Sequence, residues 1–515
     1  MTSMVARIAA STRTISLATA ASRVLGFVRD LLIARLFGTG MPAQAFVVAF
    51  RLPNLLRDLV GEGAVTSAIV PVLSATKATQ SPATFWRLVH ASCVRVVVIA
   101  GLLGLLGALA APWLVRLIAP GFLADPEKLA LTVRLTRILF PFITLVSLWA
   151  FFGGVLNSLH RFGLPASGPV VLNLVMIAGC LWIVPRADPP VLGLVWAVLV
   201  GGVAQLGMLL PTSCSLGFRW RWTWRDPTAS EMGRLLMPRL FGTAVYQAAV
   251  FLNTILASLP LAGPGAVAAL YFANRLVQLP LALFATASSQ ASLPALSERA
   301  AVNDLQTFRT TVAGVLRLVI WESLPAAVGF FVLAHPIIRV CFERGAFDAS
   351  STAITASALQ WLTIGLLAYA AGKILTSAFY ALKETAIPVR LALEALAINT
   401  VLAVALLPFL QVAGLALATA LSSVWNTWRL FRALERRLDC ALWPQVARVS
   451  WQASAASVIM GLGCWMIWQA IQAHLSLFAA LSVTILSGVV FYYVMIVRWS
   501  HHLPAPPLAG LQHKC

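Results

Sequence analysis

The feature that most constrains this chain is a succession of apolar stretches long enough for an α-helix to cross a bilayer, which takes about 20 residues and about 17 at the least. They fall near 13–37, 43–75, 86–116, 129–156, 167–185, 190–213, 233–259 and 265–296, then near 310–334, 352–379, 389–408, 412–428, 449–473 and 476–498. Fourteen such stretches in 515 residues leave little room for a soluble domain, and only helices satisfy their own backbone groups in lipid at this segment length. The spacing therefore predicts an all-α polytopic membrane protein. Composition agrees: 60% of residues are hydrophobic and 10% are charged, where a soluble domain carries about 25%. Disorder, a fibrous architecture and a secreted disulfide scaffold are excluded. The seven cysteines are scattered, odd in number and never spaced CxxC, which suits apolar helix positions better than bridges or zinc ligands.

A formal charge of +20 suggests a polyanion partner until it is placed along the chain. With the N-terminus taken as cytoplasmic, the inner loops hold twenty Lys and Arg, among them Arg87, Arg161, Arg221, Arg299, Arg390 and Arg437. The outer loops hold six: Arg116, Lys128, Arg134, Arg186, Arg339 and Arg344. That asymmetry is the positive-inside bias, and it places both termini in the cytoplasm. The charge is a topology signal, so no nucleic-acid partner is expected. The stretch ISLATAASR has the look of a signal-peptide cleavage site, but the residues before it lack an apolar core, so it reads as part of the first spanning helix.

The chain also contains an internal echo. SAIVPVLSATK at 67–77 aligns with QASLPALSERA at 290–300, setting Pro71 on Pro294 and Ser74 on Ser297 at an offset of 223; the same offset sets Pro165 on Pro388. A duplication divides the chain into a lobe of helices 1–6 (1–220), a lobe of helices 7–12 (221–440), and helices 13 and 14 with a tail (441–515). Six helices return the chain to its starting side, so the lobes are expected to be parallel repeats around a central cavity, as in transporters that rock one lobe against the other. Helices 13 and 14 carry no Lys, Arg, Asp or Glu between Val449 and Val497 and are expected to face lipid.

Eleven basic residues remain inside the spans: Arg23, Arg29, Arg35, Arg51, Arg57, Arg95, Arg137, Arg239, Arg275, Arg317 and Lys373. An arginine at the bilayer centre costs about 2.5–3.5 kcal/mol on insertion scales, so each needs a reason. Snorkelling toward a helix end suits Arg35, Arg95, Arg239 and Arg317. It suits Arg23 poorly, and five of the eleven crowd into the first two helices. Pairing of Arg29 with Asp30, or Arg57 with Asp58, is disfavoured because sequence neighbours do not face each other on a helix; Glu62 can reach back toward Arg57. The expectation is a hydrated, net-positive cavity. Arg23, Arg29 and Arg35 share it only if the helix bends, with Gly26 as the hinge, and Pro53 with Asn54 should interrupt the second helix around Arg51 and Arg57. Asn274, Arg275 and Pro280 give the second lobe its own positive site. Such a cavity suits an anion, and Arg suits phosphate because its planar fork donates bidentately and stays charged.

No Walker A loop, HExxH or GxSxG occurs, so ATP hydrolysis, metalloprotease and serine-hydrolase chemistry have no support and the chain is not expected to be an enzyme. The seven histidines form no ligand constellation. An acid-lined drug or cation antiporter fits poorly, and a membrane glycosyltransferase would need carboxylates in a large outer loop.

The runs SRVLGFVRDLLIARLFG (22–38) and AFVVAFRLPNLLRDLVGEGAVTSAIVPVLS (45–74) resemble the opening helices of the MurJ/MviN lipid II flippases. APWLVRLIAPGF (111–122), LNSLHRFGLPASGPVVLN (156–173), FLNTILAS (251–258), FERGAF (342–347) and FYALKETAIPV (379–389) extend the likeness in order along the chain. The resemblance implies a member of the multidrug/oligosaccharidyl-lipid/polysaccharide exporter superfamily, in the bacterial inner membrane. Such a protein moves the undecaprenyl-pyrophosphate-linked peptidoglycan precursor, lipid II, to the outer leaflet by alternating access. It implies Arg23, Arg29, Arg57 and Arg275 as substrate-binding residues, with Arg51, Asn54 and Glu62 beside them, and helices 13 and 14 as a groove for the polyprenyl tail. The partners it implies are lipid II, membrane lipids and the cell-wall synthesis machinery. No cofactor is expected; coupling to membrane potential or a monovalent cation is, with Glu394 and Asn399 as weak ion-ligand candidates. Gln44, Asn274 and Gln278 stand where the family often has acids, removing negative charge from the cavity region. An exporter of another lipid-linked oligosaccharide, O-antigen-like, is the alternative.

Overall fold

In the computed structural model the backbone is described for residues 2–61, 64–224, 226, 228–230 and 247–500, and side chains for these except 2–13, 15, 56–61, 64–68 and 499–500. Among the described residues every regular element is helical. The first nine helices are α1 (Thr2–Phe37), α2 (Met41–Gly61), α3 (Ala64–Thr79), α4 (Pro82–Ile118), α5 (Pro126–Leu139), α6 (Phe142–Ser158), α7 (Gly163–Trp182), α8 (Pro190–Ser215) and α9 (Gln247–Ser258). The next nine are α10 (Ala266–Pro280), α11 (Ala287–Ala301), α12 (Leu305–Val332), α13 (Ala334–Phe342), α14 (Ala349–Thr363), α15 (Leu366–Ala381), α16 (Ala386–Leu438), α17 (Trp443–Ile471) and α18 (Leu477–Ser500).

Nine helical runs among the described residues are long and apolar enough to cross a membrane, or ten if α14 and α15, bent by 45°, form one span. The tally is smaller than fourteen for physical reasons. Intrahelical charges such as Arg23, Arg29, Asp30 and Arg51 keep α1 and α2 out of it, and the predicted helix over 233–259 is described only from Gln247. The 53-residue α16 counts once although it is two helices, reversed at Gln411 (φ 51°, ψ −131°) three residues after Pro408. Its two halves lie side by side, because Arg429 Nη1 meets Glu394 at 2.9 Å.

The expected interruption at Pro53 and Asn54 is corrected. α1 runs through Gly26 without interruption, and α2 continues through Pro53. A helix survives an internal proline at the loss of one donor when neighbouring helices support it. The irregularity occurs instead after Pro280, where Leu281–Thr286 winds as a π-helical turn between α10 and α11.

The 223-residue offset is written into the helix starts. Ala64 and Ala287 open α3 and α11, Pro82 and Leu305 open α4 and α12, Pro126 and Ala349 open α5 and α14, and Gly163 and Ala386 open α7 and α16. Each pair is 223 apart. The caps repeat with them. Ser81 and Asp304 accept the backbone N–H of Thr84 and Thr307, while Asp125 and Asp348 accept those of Lys128 and Ser351. Accepting such bonds, first from the backbone N–H of Thr307 and of Ser351, holds the Asp304 and Asp348 carboxyls below the usual carboxylate range.

By contact the chain divides into two compact units, Met1–Leu259 and Pro260–Cys515. This contact division is a different quantity from the repeat boundary near 220. It carries α9 with the first unit, where Gly121 N–H donates to Ser258 Oγ at 3.2 Å. In the first unit α3, α4, α6 and α8 enclose Leu73, Leu88, Phe151 and Leu209, with Phe218 closing one end. In the second, α11, α12, α15, α16 and α17 enclose Phe308, Leu316, Leu375, Phe379 and Leu434. α17 and α18 pack on each other and on α12 through Met460, Cys464, Leu481 and Tyr492, whose hydroxyl donates to the Trp321 carbonyl at 2.8 Å. Their opposite faces expose Trp451, Val458, Leu462, Leu486 and Val490, an apolar surface suited to lipid.

Candidate functional site

The first unit buries one dense polar cluster, and it is built on Arg29. Arg29 is 7% exposed and its neighbour Asp30 1%. Nε and Nη2 of Arg29 both donate to Asp30 Oδ1, at 3.0 and 2.7 Å, while Nη1 donates to Asn173 Oδ1 on α7 at 2.9 Å. Asn173 Nδ2 returns to α1 by donating to the Ser22 carbonyl at 2.9 Å. Gly26 faces Asn173 across this contact, where a Cβ would lie at ordinary van der Waals distance, 3.5 Å from the Asn173 amide nitrogen. The sequence-based argument against an Arg29–Asp30 pair is therefore overturned. The arginine stem is long enough to fold back around the helix surface, and burial forces the two charges together because neither can be left alone in a low-dielectric interior.

Arg23 and Arg35, six residues to either side, are exposed. With α1 unbroken, 100° per residue carries the three arginines to different faces. Arg23 has no hydrogen-bond or ion-pair partner among the described residues. It lies 14 residues before the end of α1, about 21 Å along the axis and so deep within a bilayer-spanning length. Arg51 and Asn54 are half-buried on α2. The side chain of Arg57 and all of Glu62 lie outside the described residues.

Arg275 lies in the second unit. On α10 it stacks over the Tyr271 ring at 4.8 Å, donates from Nη2 to the Tyr271 hydroxyl at 3.1 Å, and approaches Gln278 Oε1 from Nη1 at 3.4 Å. These are i−4 and i+3 neighbours, so one helix face presents a half-buried guanidinium. One π-turn further on, Lys373 Nζ donates to Thr286 Oγ1 at 2.8 Å, a second cation held by a neutral group.

The missing acids acquire a physical meaning here. Gln278 still accepts from Arg275, and Gln44 Oε1 still accepts from Lys128 Nζ at 3.0 Å while its own amide donates to the Thr39 carbonyl at 3.1 Å. Both amides keep a hydrogen-bond acceptor but bring no charge of their own to Arg275 and Lys128. Lys128, read from sequence as a loop residue, sits in the first turn of α5 with its ammonium 4.0 Å above the Phe122 ring.

Arg95, expected to snorkel, instead donates to the carbonyls of Trp224 and Asp226 and to Ser230 Oγ at 3.0–3.2 Å, clamping the segment after α8. Glu394 is engaged by Arg429 at 2.9 Å and Arg390 at 3.6 Å, which makes it a poor cation ligand; Asn399 is buried one turn further along α16. Among the described residues no group of three His, Cys, Asp or Glu could hold a metal ion. Asn173 and Tyr271 are the polar contributors that sequence reasoning missed. Asn173 closed one of the quoted motifs, and an amide inside an apolar helix was the available signal; its partner 144 residues away was not.

Arg23 in the first unit and Arg275 in the second each present a guanidinium able to donate to an anionic group.

Against known proteins, residues 33–489 match the family model described as "Lipid II flippase MurJ". The lipid II flippase MurJ of Burkholderia cenocepacia is 34% identical over 459 residues, covering 88% of this chain and 89% of that protein. A probable lipid II flippase MurJ of Rhizobium tropici is 36% identical over 460 residues, covering 87% and 85%. Among solved structures, a lipid II flippase MurJ in an inward closed conformation superposes with a TM-score of 0.80 at 25% identity, covering 95% of this chain and 99% of that one. An inward-facing multidrug resistance MATE family transporter of the MOP superfamily reaches 0.68 at 15% identity, a likeness of fold alone. With a matching family model over most of its length and relatives above 30% identity across four-fifths of it, the chain belongs to the lipid II flippase MurJ family.

Proposed function

We propose that this chain is a multi-pass inner-membrane transporter that flips lipid II, the undecaprenyl-pyrophosphate-linked peptidoglycan precursor, from the inner to the outer leaflet for cell-wall synthesis. The observation that carries the proposal is the family match over residues 33–489. On this reading the chain crosses the membrane fourteen times with both termini cytoplasmic. Helices 1–6 and 7–12 are parallel lobes that alternate access to a shared cavity, and the helix starts repeating every 223 residues support that arrangement.

Arg23 and Arg275 are the groups we assign to the pyrophosphate, because Arg23 is exposed and Arg275 presents a half-buried guanidinium steadied by Tyr271 and Gln278. Holding the diphosphate against arginines lowers the cost of carrying it through a low-dielectric region. The family resemblance adds Arg57, Arg51, Asn54 and Glu62 to the same assignment, and Arg29 serves it indirectly by fastening α1 to α7. α17 and α18, which carry no Lys, Arg, Asp or Glu between Val449 and Val497, leave a lipid-exposed face along which the polyprenyl tail can travel outside the polar path. Membrane potential would favour the return of the empty, positively charged carrier toward the negative interior, and no cofactor is required.

The test is precursor sidedness. Depleting the protein should make lipid-linked precursor accumulate while becoming inaccessible to a cleaving agent confined to the outer face. Precursor that stays accessible on depletion would mean that another protein flips it.

A further inference from the structure

α16 doubles back at Gln411, and the two ends of this hairpin enclose a groove of about 810 Å³. One wall carries Arg390. The other carries Trp425, Trp428, Arg429, Arg432 and Arg436; Trp425, Trp428, Arg432 and Arg436 follow one another at spacings of three and four and so share a helix face, with Arg429 beside Trp428. The Trp425 and Trp428 rings lie 5.1 Å apart, and the Arg429 guanidinium sits 5.7 Å from the Trp425 ring centre. Two acids meet these cations. Glu394 bonds Arg429 and Arg390, and Glu435 bonds Arg432 while also accepting the backbone N–H groups of Leu442 and Trp443 at the start of α17. Four arginines against two acids leave the groove with a net charge of +2. Arg436 makes no ion pair with a described residue.

The groove is graded along its length. Arg432 and Arg436 stand at its mouth, and the tryptophans lie four to eleven residues further in, about 6–16 Å along the helix axis. Below the tryptophans the walls continue as exposed apolar stripes, Leu421 and Val424 on one half of α16 and Leu393, Val401 and Val404 on the other. Cation above, aromatic at the interface and aliphatic below is the profile of an amphiphile seated in a bilayer leaflet. A free phosphate uses only the mouth, and a soluble polyanion leaves the apolar stripes uncovered.

We propose that this groove binds an anionic glycerophospholipid of the leaflet it opens onto, with the phosphate between Arg390, Arg432 and Arg436, the glycerol region on the two tryptophans, and the acyl chains along the exposed stripes. The bound lipid couples the two halves of the hairpin, because its phosphate bridges arginines on both walls.

The test is lipid retention by the full-length protein in detergent, read by native mass spectrometry, with phosphatidylglycerol and phosphatidylcholine as probes. Phosphatidylglycerol should bind about tenfold more tightly than phosphatidylcholine, and the Arg432→Gln/Arg436→Gln double variant should lose that preference, since each basic residue near an anionic lipid is worth roughly fivefold. Arg390→Gln, on the opposite wall with its side chain 83% exposed, reads the same site should the double variant misfold, and should lose a smaller share of the preference. Trp428→Ala should weaken both lipids alike, and Arg161→Gln, on a loop of the first unit, neither. Retention of full preference in both arginine variants overturns the proposal. So does displacement of phosphatidylglycerol by millimolar inorganic phosphate, which would make the groove a phosphate site, or by lipid II at equal concentration, which would make it a substrate port. None of these readouts depends on transport, so failure of the flippase reading and failure of this one are told apart.

Discussion

At the scale of single residues, Arg29 and Arg23 separate two uses of the same side chain in the same helix. Arg29 is sealed between Asp30 and Asn173, and a buried pair is destabilised by about 3–5 kcal/mol when one partner is removed, because the other charge stays buried. Arg29→Ala and Asp30→Asn should therefore both lower the melting temperature of the purified protein. Asn173→Ala should do so less, by about 1–3 kcal/mol for the hydrogen bonds left unmade. Arg23→Ala and Arg275→Ala should instead leave the melting temperature nearly unchanged and fail to support growth when the native copy is removed. A melting temperature for Arg23→Ala as low as that of Arg29→Ala would sink the assignment of Arg23 to substrate. The residue types and the motifs were readable in the sequence. Which arginine is fastened and which is available was not, because that depends on an amide 144 residues away and on the side a long stem takes around its helix.

Among elements, the helix caps and close approaches make the sharper predictions. Asp348 starts α14 by accepting the Ser351 N–H at 2.8 Å, and its equivalent Asp304 starts α12. A carboxyl held below its unfolded value of about 3.9 contributes stability that is present above that value and lost as pH falls through the folded one. Asp348→Ala should thus cost roughly 0.5–1 kcal/mol near neutral pH, the low end of cap effects because the site is solvent-screened, and the gap to the wild type should close under acid. A gap that persists unchanged at low pH would show that charge plays no part. At Gly121 an added Cβ would lie 1.9 Å from the Ser258 carbonyl oxygen, so Gly121→Ala must push backbone from backbone and should loosen α9, measurable as faster hydrogen exchange across Gln247–Ser258. Normal protection there would mean that the two segments separate freely. The duplication itself was legible from two prolines at one offset, since a proline tolerated within a helix is a rare and positional mark. The hairpin in α16 was anticipated as a boundary between 408 and 412, whereas neither Gly26 nor Pro53 interrupts its helix. Glycine and proline permit a break, and packing against neighbouring helices decides whether one occurs.

For the whole molecule, the prediction concerns sidedness. With the native cysteines replaced, Ser350→Cys should react with a membrane-impermeant thiol reagent added to intact cells, and Glu298→Cys only after the membrane is opened; both positions are exposed. The reverse pattern would invert the topology drawn from the basic loops. The all-helical class, the repeat, the concentration of cations in the first two helices and the family were determined by the sequence alone. Each rests on periodicity, composition or a run of neighbouring residues, which are properties of the chain before it folds. The tertiary structure decided how those cations are spent. It buried Arg29 against Asp30 and Asn173, stacked Arg275 on Tyr271, turned Glu394 from a candidate ion ligand into a partner of Arg429, and joined the two ends of α16 into one basic, aromatic groove. A charge in a membrane-embedded fold is governed by what lies within a few ångströms in space, and that neighbourhood is assembled from residues far apart in the chain.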